Sequence, residues 1–401
     1  MTKPSNSSKS KQFVPFVADC LTGVPENLQI VDLFAGIGGF HYGIGAAAAK
    51  LGIGVQTQLV SEITSSCRLV YEKNHGNPES IQGDINEINL KKFAHGEADI
   101  LTAGFPCQPF SNSGRKMGLS DPRGQFYERI QEIIQAFRAK TFILENVPGM
   151  TKNGGKSFSS ELAFLENQKI GPTMQTLEKA MIEGLQSSPR TKSRYNIRWI
   201  EVNSAHLGSP QVRKRVYIIG VRADLGEIPD LSLLMTKTSG TVFNDIADVN
   251  PSDQLALSNN QDKNIRSFMR KGSAPSHTEG MRRVGQAYLC EGGNVGQAYH
   301  AHGKVPTLTK VWARFLPVYF PTDNETLPVL GEPEFTPGRD YGKGQIRRAS
   351  VREVMRLQGF PDSFIPHERD SQAYQHAGNA VNSLVIEAIA TQLLPLIGKT
   401  K

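Results

Sequence analysis

The sequence predicts an α/β protein: a mostly parallel sheet covered by helices on both faces, plus a smaller, irregular, β-rich domain. Three observations carry this. Short apolar runs alternate with helical stretches across residues 28–222, the pattern of strand–helix–strand units. Two of those runs stop at a thiol and at a carboxyl group, Cys107 and Glu145, and ligands of open α/β sheets bind at the carboxyl edge of the strands. Near residue 225 the texture changes to Gly, Pro, Asn and Ser with few helical periods.

Residues 1–27 read as a flexible tail, Ser/Lys-rich and then broken by Pro15, Gly23 and Pro25. Strands are expected at 29–34, 57–61, 99–103, 141–145 and 215–221, with helices at 39–51, 64–75, 124–138 and 172–186. These make a first domain over 28–225. A second domain is expected over 226–369, with 370–401 returning to complete the first. Residues 350–358 read as helix, and Val381, Leu384, Val385, Ala388 and Ile389 give one last helix over 378–394. Inside the second domain Val284-Gly285-Gln286-Ala287-Tyr288 recurs as Val295-Gly296-Gln297-Ala298-Tyr299 across Glu291-Gly292-Gly293-Asn294. A hairpin and a chance similarity in a Gly-rich loop both account for it.

Composition narrows the classes. The chain has 401 residues and 38% hydrophobic content, enough for a real core. No apolar run approaches the roughly 20 residues a membrane helix needs, and the polar N-terminus has no apolar signal segment. Cys20, Cys67, Cys107 and Cys290 show no Cys-x-x-Cys spacing, so neither a disulfide framework nor a metal site is expected, and a cytoplasmic location fits. Net charge is +7 and it is clustered. Residues 187–222 hold eight Lys/Arg against Glu201 alone, and 263–314 hold nine against Glu279 and Glu291. Clustered basic charge suits a phosphate backbone; scattered solvated Lys/Arg is the plainer alternative.

Phe34-Ala35-Gly36-Ile37-Gly38-Gly39 follows a strand and opens a helix. Glycines let such a loop turn tightly and approach a ligand closely. By itself it suits a dinucleotide as well as any other nucleoside cofactor, although it lacks the full Gly-x-Gly-x-x-Gly spacing. Glu62 ends the next strand, where a carboxylate can hold two ribose hydroxyls. Asp84 can accept from an adenine amine, or simply cap a helix. Cys107 and Glu145 suggest a nucleophile and a proton donor facing one pocket. Arg213 and Arg215 lie two apart on a strand-like run and are expected to share a face.

Gly104-Phe105-Pro106-Cys107-Gln108 and Glu145-Asn146-Val147 resemble the cytosine-5 DNA methyltransferase family. Val31-Asp32-Leu33-Phe34-Ala35-Gly36-Ile37-Gly38-Gly39, Gln211-Val212-Arg213-Lys214-Arg215, Arg356-Leu357-Gln358-Gly359-Phe360-Pro361-Asp362 and Gly378-Asn379-Ala380-Val381 resemble its other motifs, in the family's order. The resemblance implies a Rossmann-like S-adenosylmethionine-dependent methyltransferase domain and a target-recognition domain. It implies that Cys107 attacks cytosine carbon 6, because only a thiolate adds well to that ring. Glu145 then protonates ring nitrogen 3, Arg215 holds the carbonyl, and Arg213 binds phosphate or gives support. Phe34, Ala35, Gly36, Gly38, Gly39, Glu62, Ile63, Asp84, Ile85, Gly104, Pro106, Phe126 and Asn379 are the implied cofactor contacts, with Tyr127 packing nearby.

The cytosine must swing out of the duplex before this chemistry reaches it. Gln108, Ser111, Ser113 and Arg123 resemble the family's mobile loop, which fills the vacated space and grips backbone. Thr307 and Leu308 resemble its Thr-Leu pair in the recognition region. The implied partners are double-stranded DNA and a cognate restriction endonuclease in the same cell. The chain is expected to be a monomer, without metal or membrane, associated with the nucleoid. A tRNA cytosine-5 methyltransferase shares the fold and chemistry. A nicotinamide oxidoreductase explains only the Gly loop, and a non-catalytic DNA-binding regulator leaves Cys107 and Glu145 unexplained.

Overall fold

The computed structural model describes residues 25–76, 78, 81–93, 96–106, 126–148, 195–235, 240–249, 251–252, 255–259, 261–263, 265, 283–288, 295–302, 304–309, 313–320 and 344–398. The helix expected at 172–186 lies outside these residues, as do Cys107, Gln108, Ser111, Ser113 and Arg123.

Apolar residues buried on both faces make most of the strands before residue 226. They are β1 (Asn27–Leu33), β2 (Gly54–Ser61), β3 (Ile81–Gln82), β4 (Ile100–Gly104), β5 (Thr141–Asn146), β6 (Tyr195–Asn203), β7 (Gln211–Val212) and β8 (Lys214–Arg222). Seven of them form one sheet in the order β3-β2-β1-β4-β5-β8-β6. The pairs from β3 to β5 are parallel, whereas β8 runs antiparallel to both β5 and β6. The chain therefore winds outward from β1 to β3, then returns to β4 on the other side of β1. That reversal makes the crevice between the ends of β1 and β4 the natural ligand site.

The helices α1 (Gly39–Ala49), α2 (Ser65–His75) and α3 (Phe126–Ala136) follow β1, β2 and β4 in turn. Alternate strand residues feed opposite cores. Leu28 and Ile30 pack with Phe40, Ile44, Ile389 and Leu393 on one face. Val31 and Leu33 pack with Ile130, Ile133, Ile134 and Phe137 on the other. Burial of this kind is worth about 1.5–3 kcal/mol per large apolar side chain.

Two sequence expectations need correcting. β6 was not expected, because Tyr195-Asn196-Ile197-Arg198-Trp199 lies in a basic window and only part of its length is buried. The last helix is not continuous: α4 (Val351–Leu357) is followed by α5 (Asp370–Asn379) and α6 (Ser383–Ile397), the last two bent by 41° at Ala380–Asn382. The break has a cause in the fold. The Ala380 carbonyl, which a continuing helix would bond internally, accepts from the Arg213 side chain instead. Among the described residues no single helix is long and apolar enough to cross a membrane.

Beyond residue 226 the described strands are β9 (Arg283–Tyr288), β10 (Val295–His300), β11 (Val305–Pro306), β12 (Pro317–Phe320) and β13 (Gln345–Arg348). Four of them form a sheet in the order β13-β12-β10-β9, and β11 pairs with β7. The two Val-Gly-Gln-Ala-Tyr copies do pair as antiparallel strands, with Gln286 opposite Gln297. Among the described residues the core of this region is continuous with the first sheet's helices. Phe243, Val318, Met355 and Phe360 share one cluster with Ile37, Cys67 and Val70, so the cofactor loop and α2 pack directly against it.

Candidate active site

The loop after β1 is shaped by backbone conformation. Phe34, Gly36 and Gly38 all have positive φ (53°, 57° and 88°). Gly38 tolerates no side chain, because a Cβ there would lie 2.2 Å from His75 Nε2. Gly39 lets α1 approach the break between α5 and α6, since its Cβ would lie 2.6 Å from the Val381 carbonyl oxygen. No side chain caps the start of α1 at Gly38. Unsatisfied N–H groups at that end favour negative charge or a lone pair on a ligand.

Glu62 follows β2 directly and is tied to this loop. Its carboxylate accepts from Gly36 N–H at 2.9 Å and Thr64 N–H at 2.7 Å, while Arg68 donates to its main-chain oxygen at 2.6 Å. Next to it Ile63 is 73% exposed, a large apolar side chain left open at the crevice. Asp84 caps the turn Ile85–Glu87 by accepting from Asn86 N–H at 2.9 Å. Ile85 is buried in the core, with its carbonyl taken by Arg129. Phe126, opening α3, meets Phe34 edge to face at 5.3 Å. Asn379 is exposed at the end of α5.

Beneath the loop lies a buried polar cluster. Asp32 accepts from the Thr102 hydroxyl at 2.8 Å; burial, helped by the Glu62 charge, pushes its carboxyl up to about 7 against the pull of that hydrogen bond. His41 Nδ1 sits 2.9 Å from the Tyr71 hydroxyl and 3.1 Å from the Thr57 hydroxyl. Its ring lies 4.2 Å from that of His75. Burial, with each ring's charge opposing the other's at His41, pushes His41 down to about 3; burial alone lowers His75 to about 4. Both rings are neutral at pH 7, which fits two imidazoles in contact.

The catalytic side is formed by β4, β5 and β8. Gly104 pairs with Glu145, and Glu145 with Tyr217, so the carboxyl group lies one strand from the segment leading to Cys107. Glu145 is 9% exposed and its Oε1 is 2.9 Å from Arg215 Nε. The N–H is not aimed at that oxygen, so the contact is an ion pair rather than an aligned hydrogen bond. Asn146 donates to the Phe105 carbonyl at 3.3 Å and so fixes the approach to Pro106. The sequence reading assigned Asn146 no role; its place directly after Glu145 was the available signal.

The two arginines part company. The strand is interrupted at Arg213, between β7 and β8, so alternation does not carry across it. Arg213 is buried and donates to the Leu308 carbonyl at 3.0 Å and the Ala380 carbonyl at 2.9 Å. It ties three segments together. Leu308 is itself core, and the Thr307 hydroxyl donates to the Val212 carbonyl at 2.8 Å.

A Rossmann-like sheet with a Gly loop, an acid after the second strand and a Glu–Arg pair at the carboxyl edge is consistent with the methyltransferase fold. The profile of the C-5 cytosine-specific DNA methylases matches residues 28–395, and the chain belongs to that family. It is 30% identical over 365 residues to the Type II methyltransferase M.NlaX of Neisseria lactamica, covering 91% of this chain and 96% of that protein. With M.HgiCI of Herpetosiphon aurantiacus it shares 27% identity over 446 residues, 91% of this chain and 97% of the relative. The fold is also that of the Entamoeba histolytica methyltransferase EhMeth, with a TM-score of 0.60, 18% identity and coverage of 92% and 98%. The protein is thus a DNA (cytosine-5) methyltransferase, of a family that uses S-adenosylmethionine.

Proposed function

We propose that the chain is the modification enzyme of a Type II restriction–modification system, marking one cytosine in a duplex word and shielding it from a cognate endonuclease. Its curated relatives carry Type II names. The observation that carries the catalytic assignment is the Glu145–Arg215 pair at 2.9 Å, at the strand edge beside Gly104.

The cofactor, when bound, supplies an electrophilic methyl group. The cofactor contacts are those assigned above, including Ala35 and Pro106. The open Gly loop, the exposed Ile63 and the adjoining Glu62 suit an adenosine half. Ile63 offers an apolar face to the adenine, Glu62 accepts from ribose hydroxyls, and Asp84 accepts from the adenine amine. Ile85, whose side chain is core, contributes its backbone. Asn379 and Phe126 close the methionine side.

In the reaction Cys107 Sγ forms a bond to carbon 6 of the flipped cytosine. Glu145 delivers a proton to ring nitrogen 3 as the electron pair moves in, and Arg215 holds the ring carbonyl. The bound cofactor would supply the methyl group to carbon 5 and leave as a thioether; carbon 5 then loses its proton to a base, the bond to Cys107 breaks to release the thiolate, and the proton on nitrogen 3 returns to Glu145. Each member is needed only as charge develops in the ring, which is where binding energy accelerates chemistry. Gln108, Ser111, Ser113 and Arg123 hold the DNA around the flipped base, and the word is read within residues 226–369.

The test is methyl transfer from labelled S-adenosylmethionine to duplex DNA and to tRNA. Label confined to cytosines of one duplex word supports the reading; label on tRNA alone overturns it.

A further inference from the structure

The repeated pentapeptide pairs with itself. In the antiparallel register Gly285 faces Ala298, Gln286 faces Gln297, and Ala287 faces Gly296. Each residue thus meets the partner that a local two-fold axis would demand, and the one pair formed by equivalent residues is Gln286–Gln297. The axis holds through Tyr288 opposite Val295 and ends at a register shift beside Tyr299, which faces Arg283. A chance likeness between two loop stretches does not require this register; a shift by one residue would place Gln opposite Gly or Ala.

β9 is the outermost strand of its sheet, and no further described strand pairs with it. The window 263–314 around it carries nine Lys/Arg against two acids, and Arg283 opens β9. A two-stranded antiparallel ribbon fits the major groove of B-DNA. Glutamine matches adenine there, donating to N7 and accepting from the N6 amine. Directly opposed residues on such a ribbon are about 4.5–5.5 Å apart between Cα atoms, and base pairs rise by about 3.4 Å. One opposed pair therefore spans neighbouring steps. A protein two-fold meets a DNA two-fold at symmetric base pairs on the two strands.

From this juxtaposition we propose that Gln286 and Gln297 are the specificity-determining pair of this enzyme, reading adenine at two A·T positions related by a local dyad of the word. The inference rests on placing word recognition in residues 226–369.

The experiment uses the full chain, S-adenosylmethionine and a duplex library with randomised flanks around cytosine, read by conversion sequencing. Gln286→Ala should relax one A·T position and Gln297→Ala its dyad mate. Each loses roughly 5- to 150-fold in discrimination, the ratio expected for one bidentate contact. Gln286→Glu and Gln297→Glu are near-isosteric and accept only, so they should move preference at the same positions from adenine towards cytosine. Cofactor binding by calorimetry checks that each variant is folded, and the Glu variants decide if an Ala variant fails that check. Unchanged preference in folded variants, uniform loss on every word, or a wild-type word without dyad-related A·T pairs overturns the proposal. A wild type that marks no duplex word at all overturns the underlying reading as well, and that result is distinguishable because it precedes any substitution.

Discussion

Arg215 Nε lies 2.9 Å from Glu145 Oε1, across the seam between two antiparallel strands. In the proposed reaction Glu145 gives a proton to ring nitrogen 3 and Arg215 holds the ring carbonyl. Glu145→Gln keeps the shape and removes the transferable proton. It should retain cofactor binding and lose about 10²–10⁴-fold in turnover, measured by single-turnover methyl transfer.

Arg213 should behave oppositely to Arg215. Arg213→Ala strands two buried carbonyls, at about 1–3 kcal/mol for each unsatisfied group. Its melting temperature should fall by many degrees, together with activity. Arg215→Ala removes a partly exposed side chain and should lose turnover with little change in melting temperature. Equal thermal shifts for the two variants would contradict the division of roles.

Glu62 has two tasks, one of which sequence did not suggest. Its carboxylate accepts from Gly36 and Thr64 N–H groups, so Glu62→Ala should weaken cofactor binding and also lower the melting temperature. Glu62→Gln keeps one acceptor and should show the binding defect with the smaller thermal shift. Calorimetry and thermal melts on both variants check this.

The buried imidazoles set an acid limit. His41, His75 and His376 have folded pKa values lowered from about 6.5 to about 3, 4 and 4, chiefly by burial. Below about 6.5 the unfolded chain takes up protons that the folded chain refuses, so stability is full above that pH and falls towards pH 4. Asp32 works the other way: its raised pKa favours folding at low pH and loses that contribution as pH rises to about 7. Three histidines outweigh one carboxyl group, so the melting temperature should fall from pH 6.5 to 4.5. His75→Phe should flatten that slope.

Much of the sheet was legible because short apolar runs stop beside residues with chemistry: the run ending at Leu33 before the Gly loop, Ile100–Ala103 before Cys107, and Phe142–Leu144 before Glu145. β6 was not, because Arg198 and Glu201 interrupt its apolar pattern at a partly covered edge. The α5–α6 break escaped because its cause is a side chain distant in sequence, Arg213 bonding to Ala380. Helical spacing in Val381, Leu384, Val385 and Ala388 carries no trace of it. In the site, the acids and glycines were visible as residue types at strand ends. The division between Arg213 and Arg215 needed tertiary contacts with Leu308, Ala380 and Glu145. The paired Gln286 and Gln297 lay between legible and hidden: the repeat was plain, and its register was not.

The central claim is that Cys107 forms a bond to the target base. The full chain is incubated with S-adenosylmethionine and its duplex word carrying 5-fluorocytosine at the target, where loss of the carbon 5 proton is blocked. The account predicts a denaturant-stable protein–DNA adduct in the wild type and none in Cys107→Ser; adduct formation by Cys107→Ser at the wild-type level would contradict it.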